Sequence, residues 1–480
     1  MRAAAAWLAL GVIASGRVAW ADDAPAPPAP VEAASSASAS ASTSTATATT
    51  TTTQADVDGL RAAIARQDAR LDALQGELDA EKRASLRFTA RLSGFVQVDW
   101  IAHDQASANE IDDSSGALLN QDRFTLRRGH LRVDAGYGLV TGALELDANT
   151  TGASGSQTAL QVRPIDAEVS VHWPGQADDR LPTLEATVGL MRIPFGFEVQ
   201  ELDWVRPFLE RATVLRALFP GEFDLGARLR TTYRFLDWAI AVMNGSPIGS
   251  QTFPALDPVH QKDLIGRLGV AVTLVPGVRF RAGVSGVTGT GFHSGTPTTK
   301  DVVVWQDANG DGVVQPNEVT VIPGSAATPS RVFHRFALGG DAQLDVDVPY
   351  LGVFAVRTEW ITASNLDRGV EVADPVSAGR DLRETGWYVG ATQELSRWAA
   401  IGARYDRYDP DADASAQRGV ALVPVDRTYT TLALMAMARW GPQRLLVEYD
   451  VNTNPLGISP AGVPVTLADN ALTFRAQYVF

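Results

Sequence analysis

Segments of about ten residues in which apolar and polar side chains alternate follow one another from residue 87 to the C-terminus. The last segment shows this pattern most clearly. Its apolar positions are Leu472, Phe474, Ala476, Tyr478 and Phe480. Alternate residues of a strand point to opposite faces of a sheet, so each segment predicts a strand with one apolar and one polar face.

Alternation alone does not separate a soluble β-sandwich from a membrane barrel, and two further features favour the barrel. Short connections alternate with long ones along the chain, as between the two ends of an outer-membrane barrel. Aromatic residues stand near strand ends, as at a membrane interface. These are Trp100, Trp173, Trp238, Trp360 and Trp440.

The pattern predicts an all-β fold, a closed antiparallel transmembrane barrel of sixteen strands over 87–480. The strand number is even because both ends of the barrel are expected on the periplasmic side. Side chains cannot fill a lumen of this size, so a water-filled channel is expected. We therefore expect the barrel in the outer membrane, with membrane lipid around it.

The N-terminal region predicts export. Residues 1–21 combine Arg2, a short apolar run and the cleavage site Ala19-Trp20-Ala21, which indicates a signal peptide. Residues 22–53 consist mainly of Ala, Pro, Ser and Thr, and predict a disordered linker.

Residues 54–86 predict a periplasmic α-helical coiled coil, since apolar residues recur at the first and fourth positions of about four heptads. These are Val57, Leu60, Ile64, Leu71, Leu74 and Leu78. The alternative is a lone amphipathic helix packed on another surface. Self-association is the better interpretation, although the seam does not determine how many helices associate.

Residues 194–223 interrupt the strand pattern with a mixture of apolar and charged residues. A long loop of this composition needs a packing partner, so we expect it to fold inward and constrict the pore. The alternative is an ordinary extracellular loop. The candidate constriction residues are Arg206, Glu210, Arg211 and Arg216.

Three stretches resemble the phosphate-selective porin O/P family. They are residues 124–131 (FTLRRGHL), 189–196 (GLMRIPFG), and 208–211 (FLER) with 219–226 (FPGEFDLG). The resemblance implies a sixteen-stranded trimeric porin whose third loop constricts the channel. Phosphate-selective members use lysines at that constriction, whereas residues 190–225 contain no lysine here.

The alternation places many charged residues on the inner face, where they avoid the cost of facing lipid. The candidate pore-lining arginines are Arg228, Arg230, Arg234, Arg279, Arg281, Arg335, Arg357, Arg404, Arg444 and Arg475. Guanidinium groups can bind oxyanions, which would favour anions such as phosphate. Inward carboxylates occur in similar numbers, so cross-strand pairing that stiffens the wall is at least as good an interpretation.

A calcium-type motif lies in the long connection at 290–332. Residues 307–318 follow the spacing of a calcium-binding loop. The candidate ligands are Asp307, Asn309, Asp311, the carbonyl of Val313, and Glu318. The flanks resemble strands rather than helices. The motif predicts a Ca²⁺ site in an extracellular loop, and the alternative is a polar turn.

Two functions remain open from the sequence. The first is a homotrimeric porin for passive diffusion of small hydrophilic solutes, with no cofactor required. The second is a structural anchor that tethers the envelope and conducts incidentally. A net charge of −14 argues against nucleic acid as a partner. No sequence signature of an enzyme is present, and the chain has no cysteine.

Overall fold

The computed structural model describes residues 62–76, 88–104, 122–150, 160–173, 182–248, 259–418, 420–458, 464–467 and 469–480. The predicted signal peptide and linker lie outside these residues, as does much of the predicted coiled coil. Residues 62–76 form a helix, α1. No described helix is both long and apolar enough to cross a membrane.

Sixteen strands form one closed barrel, and each strand pairs with its neighbours in sequence. They are β1 (Thr89–Asp104), β2 (Arg123–Tyr137), β3 (Val140–Asn149), β4 (Gln161–Trp173), β5 (Thr183–Arg192), β6 (Phe223–Tyr233), β7 (Leu236–Met243), β8 (Asp263–Val275), β9 (Val278–His293), β10 (Arg331–Val348), β11 (Gly352–Ser364), β12 (Arg383–Ser396), β13 (Ala399–Asp409), β14 (Tyr429–Trp440), β15 (Gln443–Thr453) and β16 (Asn470–Val479). All pairings are antiparallel, and β16 closes the barrel on β1 with Asp99 opposite Arg475. The predicted strand number is confirmed.

The two faces of the wall follow the alternation in the sequence. In β16, Thr473, Arg475 and Gln477 are buried, whereas Phe474 and Tyr478, which belong to the alternate positions, are 43% and 47% exposed. Exposed apolar side chains on the outside of a closed barrel suit contact with lipid. No backbone edge remains open within the barrel, as a bilayer requires.

The barrel has a short-turn end and a long-loop end. Residues 138–139 and 441–442 are examples of the tight turns, in which Gly138 and Gly441 have positive φ. The first strand begins and the last strand ends at the short-turn end. Thr89 pairs with Gly136 beside the turn at 138–139, and Tyr478 pairs with Gln443 beside the turn at 441–442. Among the long loops, 294–330 contains a hairpin of Val302–Trp305 and Val319–Ile322.

The main apolar core lies inside the barrel. The long segment between β5 and β6 contains a short helix, α2 (Thr213–Leu218), whose Val214, Leu215 and Leu218 are fully buried. They belong to a cluster with inward residues of β7 to β13, among them Met243 and Tyr408. This packing holds the segment against one side of the barrel wall.

Candidate functional site

The segment 193–222, here called the constriction loop, lies within the lumen. Glu359 of β11 accepts hydrogen bonds from the backbone of Phe197 and Glu198, at 3.0 and 2.7 Å. Glu448 of β15 accepts one from the backbone of Leu209 at 3.0 Å. These strands lie at different positions around the barrel. A loop that contacts both β11 and β15 must run across the interior of the barrel.

Ion pairs within the constriction loop hold it folded. Arg206 is only 3% exposed and bonds to both Asp203 and Glu222. Arg211 pairs with Glu222 at 3.0 Å and donates to the carbonyl of Phe219 at 2.8 Å. Burial opposes ionisation of Asp203, but Arg206 and Arg128 outweigh it and hold the pKa of its carboxyl well below the usual range.

Three wall arginines surround the carboxylate of Glu210. Arg127 donates to its two oxygens at 2.7 and 2.8 Å, and Arg128 at 3.1 and 2.9 Å. Arg475 adds a third contact at 3.0 Å. Burial raises the pKa of Glu210, but the positive charges of Arg127, Arg128 and then Arg475 hold it well below its usual range.

A bulge in β2 explains how two consecutive residues reach the same carboxylate. Neighbouring residues of a regular strand point to opposite faces. Gln97 pairs with Arg128 and Val98 pairs with Leu126, so Arg127 is an extra residue without a partner on β1. A bulge of this kind re-aims a side chain, and both arginines therefore face the lumen.

Most of the predicted pore-lining arginines are paired with carboxylates. The shortest contacts are 3.1 Å for Arg228 with Glu185, 2.9 Å for Arg230 with Asp237, 3.1 Å for Arg279 with Asp347, 3.3 Å for Arg281 with Asp345, 3.0 Å for Arg335 with Asp263, 2.8 Å for Arg357 with Glu201, 3.3 Å for Arg404 with Glu198, and 2.7 Å for Arg475 with Asp99. Arg444 instead donates to the backbone carbonyls of Trp204 and Arg206. Apart from Arg444, these arginines of the wall are therefore paired charges rather than free cations.

One pore-lining assignment was wrong. Arg234 lies in the tight turn between β6 and β7, with a φ of 57°, and stacks over the ring of Tyr233. The strand ends at Tyr233, so alternation no longer applies to the next residue. Arg234 is exposed at the short-turn end of the barrel.

The four candidate constriction residues occupy different environments. Arg206 and Arg211 are buried inside the constriction loop, where they hold its fold. Arg216 is exposed on α2 and contacts Thr213 at 3.0 Å. Of the four, Glu210 alone contacts the three wall arginines.

A second loop, residues 365–382, also packs onto the constriction loop. Its Asp367 accepts hydrogen bonds from three backbone N–H groups and from Tyr408 at 2.6 Å. The backbone N–H of Arg368 donates to Ala217 of α2 at 2.9 Å, and its guanidinium lies 3.4 Å from Asp263. The sequence analysis found no signal for the packing of this loop.

The calcium-type segment forms a hairpin whose acidic residues bind the backbone. Asp307 accepts hydrogen bonds from Gly310 and Gly312, at 2.7 and 2.8 Å. Glu318 accepts from Trp305 Nε1 and the backbone of Ala308, both at 3.2 Å. Among the residues that the structure describes, no group of three or more His, Asp or Glu is arranged to hold a metal ion. Calcium binding here remains a prediction.

Comparisons with solved structures identify the fold. The DcaP outer-membrane channel of Acinetobacter baumannii has a TM-score of 0.50 and 12% identity over 82% of this chain and 97% of that chain. The anion-selective porin of Comamonas acidovorans has a TM-score of 0.47 and 12% identity, over 82% and 100%. Pseudomonas putida OprB has a TM-score of 0.47 and 13% identity, over 85% and 97%.

The chain thus has a barrel fold similar to that of the DcaP outer-membrane channel. A closed sixteen-stranded barrel with an apolar exterior places it in the bacterial outer membrane. No protein-family profile matches the sequence, and no curated protein matches it. The resemblance to the phosphate-selective porin O/P family therefore stays a prediction.

Proposed function

We propose that this protein is a porin, a water-filled channel through which small hydrophilic solutes diffuse passively. The observation that carries the proposal is the two-sided packing of the constriction loop. Its apolar side is sealed against β7 to β13, whereas charged groups on its other edge stay in contact with water. Glu210 and Arg127 there are 27% and 29% exposed.

Charged side chains of the neighbouring wall support a passage on this side. Arg132 of β2 is 28% exposed, although it contacts Glu145 and Asp166. Arg228 of β6 is 13% exposed beside Glu185. A passage lined by ionised groups stays hydrated, because removing water from those groups costs much free energy. Solutes that carry their own water or hydrogen-bonding groups fit such a lining.

The pairing of charges bears on selectivity. Guanidinium groups that already bind carboxylates, such as Arg357 with Glu201, present a weaker field to a passing anion. We therefore propose a channel of weak selectivity. Membership of the phosphate-selective porin O/P family and transport of anions such as phosphate remain hypotheses. The absence of lysine from residues 190–225 weighs against phosphate as the preferred solute.

A structural anchor is the second candidate function. It would use residues 54–86 to tether or assemble the barrel, with conduction incidental. An anchor needs no hydrated lumen, whereas partly exposed charged groups line this one. That observation favours the porin. A homotrimer remains a proposal based on the coiled-coil pattern and the family resemblance.

Liposome swelling tests the proposed function directly. Liposomes that contain the full chain should swell in isotonic neutral sugars, and the rate should fall steeply as the sugar becomes larger. A narrowed aqueous pore predicts this dependence on size. Liposomes without protein serve as the control. Swelling no faster than the control for even the smallest sugar would favour the anchor instead.

A further inference from the structure

The contact between Glu210 and three arginines has the chemistry of a ligand site. Two guanidinium groups each donate to both oxygens of one carboxylate, and a third guanidinium donates once. The five contacts measure between 2.7 and 3.1 Å. Paired N–H donors match the two oxygens of a carboxylate, which gives such sites strength and selectivity. The group that fills this site belongs to the chain itself.

Two of the three arginines, Arg128 and Arg475, are held independently of Glu210. Asp99 binds Arg475 through both oxygens, at 2.7 and 2.8 Å. Arg128 also contacts Asp203 at 3.2 Å and the side-chain oxygen of Gln97 at 3.3 Å. Among the described residues, Glu210 is the only carboxylate partner of Arg127. Removing the Glu210 charge would therefore leave Arg128 and Arg475 in place and Arg127 without a carboxylate partner among the described residues.

The loop backbone at Glu210 is also fixed by contacts that do not involve its side chain. Leu209 donates its N–H to Glu448 at 3.0 Å and accepts from Arg475 at 2.8 Å. The carbonyl of Glu210 accepts from Arg404 at 2.7 Å. A change confined to the Glu210 side chain should therefore leave the loop in place. The site also borders water, since Glu210 and Arg127 are both more than a quarter exposed.

We infer that Arg127, Arg128 and Arg475 form a binding site for small carboxylates on the channel wall, and that Glu210 fills it as a tethered competitor. This inference rests on the proposed porin function. A tethered group acts at an effective concentration in the millimolar range or above, so free carboxylates must exceed that level to displace it. The native channel thus passes carboxylates without holding them.

The test compares acetate binding in the native channel and in Glu210→Gln. Sodium acetate is titrated into potassium chloride during single-channel recording in planar bilayers. Glutamine keeps the size of the side chain but removes the charge, so acetate should bind Glu210→Gln with an apparent affinity at least about tenfold higher. Binding appears as a saturable reduction in chloride current. The same variant should also shift the reversal potential in a salt gradient toward that of chloride.

Glu201→Gln is the matched control. It removes one charge from the same loop but frees only Arg357, which lies 2.8 Å from Glu201. It should shift the reversal potential without saturable acetate block. If both variants respond alike to acetate, net charge explains the effect and the site does not exist. Glu210→Gln that conducts like the native channel at every acetate concentration also overturns the inference.

A further variant covers the possibility that Glu210→Gln does not fold. Glu210→Asp keeps the charge but is one methylene shorter, so it cannot hold all three guanidiniums and should give an intermediate acetate affinity. An affinity equal to that of the native channel would overturn the inference. Failure of the porin proposal can be distinguished from failure of this inference, because the native protein would then carry no current even without acetate.

Discussion

Arg206 in the constriction loop is held by charged partners that are almost completely buried. The Arg206 side chain is only 2% exposed and lies between Asp203 and Glu222. Removing one member of a buried group leaves the others uncompensated, which costs about 3–5 kcal/mol. The same type of pair at the surface contributes little. Position, rather than residue type, decides how much each arginine stabilises the protein.

Arg206→Ala should therefore destabilise the protein by about 3–5 kcal/mol. The free energy of unfolding can be followed by urea titration in detergent, with the loss of the folded gel band as readout. Arg383→Ala is the control, because Arg383 and its partner Asp413 are 55% and 54% exposed. We expect no measurable change from that control. Equal midpoints for the two variants would contradict the structural role of Arg206.

The charge on Glu210 should persist in mild acid. A depressed carboxyl pKa means that the ion pair contributes stability above the ordinary pKa and loses it only as the pH falls through the folded value. The difference in reversal potential between the native channel and Glu210→Gln should thus remain at about pH 4.3, the ordinary pKa of glutamate. If this difference in reversal potential disappears well above that pH, the arginines do not keep Glu210 ionised.

Sequence alternation predicted the orientation of individual residues wherever strands are regular. Arg475 points inward and Phe474 outward, as expected. Arg127 and Arg128 were noted as a motif but not as site residues. Regular alternation places only one of two consecutive residues inside the barrel, and a single sequence does not reveal the bulge that places both there. Arg234 was misplaced because the strand ends at Tyr233, so that Arg234 already lies in the turn.

At the scale of elements, composition predicted some loops better than others. The mixture of Phe, Leu and charged residues in the constriction loop indicated a packed loop, and the loop does lie inside the barrel. The strand-like flanks of the calcium-type motif do pair as a hairpin. The packing of 365–382 was not predictable. It depends on Asp367 and Glu384, which bind backbone N–H groups, and polar residues of this kind also suit an exposed loop.

Calcium should rearrange the hairpin at 302–322. To coordinate Ca²⁺, Glu318 must release Trp305 Nε1, now 3.2 Å away, so the fluorescence of Trp305 reports on binding. We expect a change with an apparent dissociation constant of ~10⁻⁴ to 10⁻³ M, as in weak extracellular sites. Ca²⁺ should also protect residues 290–332 from proteases, because an ion bound only to the ordered loop stabilises it.

Two variants make the calcium prediction specific. Trp305→Phe should remove the fluorescence change while keeping protease protection. The double change Asp307→Ala with Glu318→Ala should remove both and leave the conductance of the pore unaltered. If EGTA changes neither the fluorescence nor the proteolysis of the native protein, the segment is a polar turn.

At the scale of the whole molecule, strand number and closure were predictable because the bilayer permits few solutions. Period-two segments separated by alternating short and long connections leave little other than a closed barrel. Oligomeric state is different, because it depends on surfaces that a single chain does not reveal. In helix α1, Ile64, Leu71 and Leu74 are each more than half exposed. The predicted coiled coil therefore remains open.

Deleting residues 54–86 should weaken a trimer without unfolding the barrel. The apolar seam would be lost, whereas the barrel closes through its own strand pairs. Crosslinking and sedimentation in mild detergent would measure the oligomer, and the heat-dependent gel shift would report on the barrel. A full chain that is monomeric at every concentration would contradict the trimer.

Single-channel recording tests the central claim, that a loop folded into the barrel narrows a water-filled pore. The native chain should open in discrete steps with a linear current–voltage relation. A variant that lacks part of residues 198–218 should open in larger steps, because this segment crosses the lumen and contacts strands at several positions around it. A gel shift like that of the native chain would show that the shortened barrel still folds. No current from the native chain, or steps of equal size from both proteins, would contradict the account.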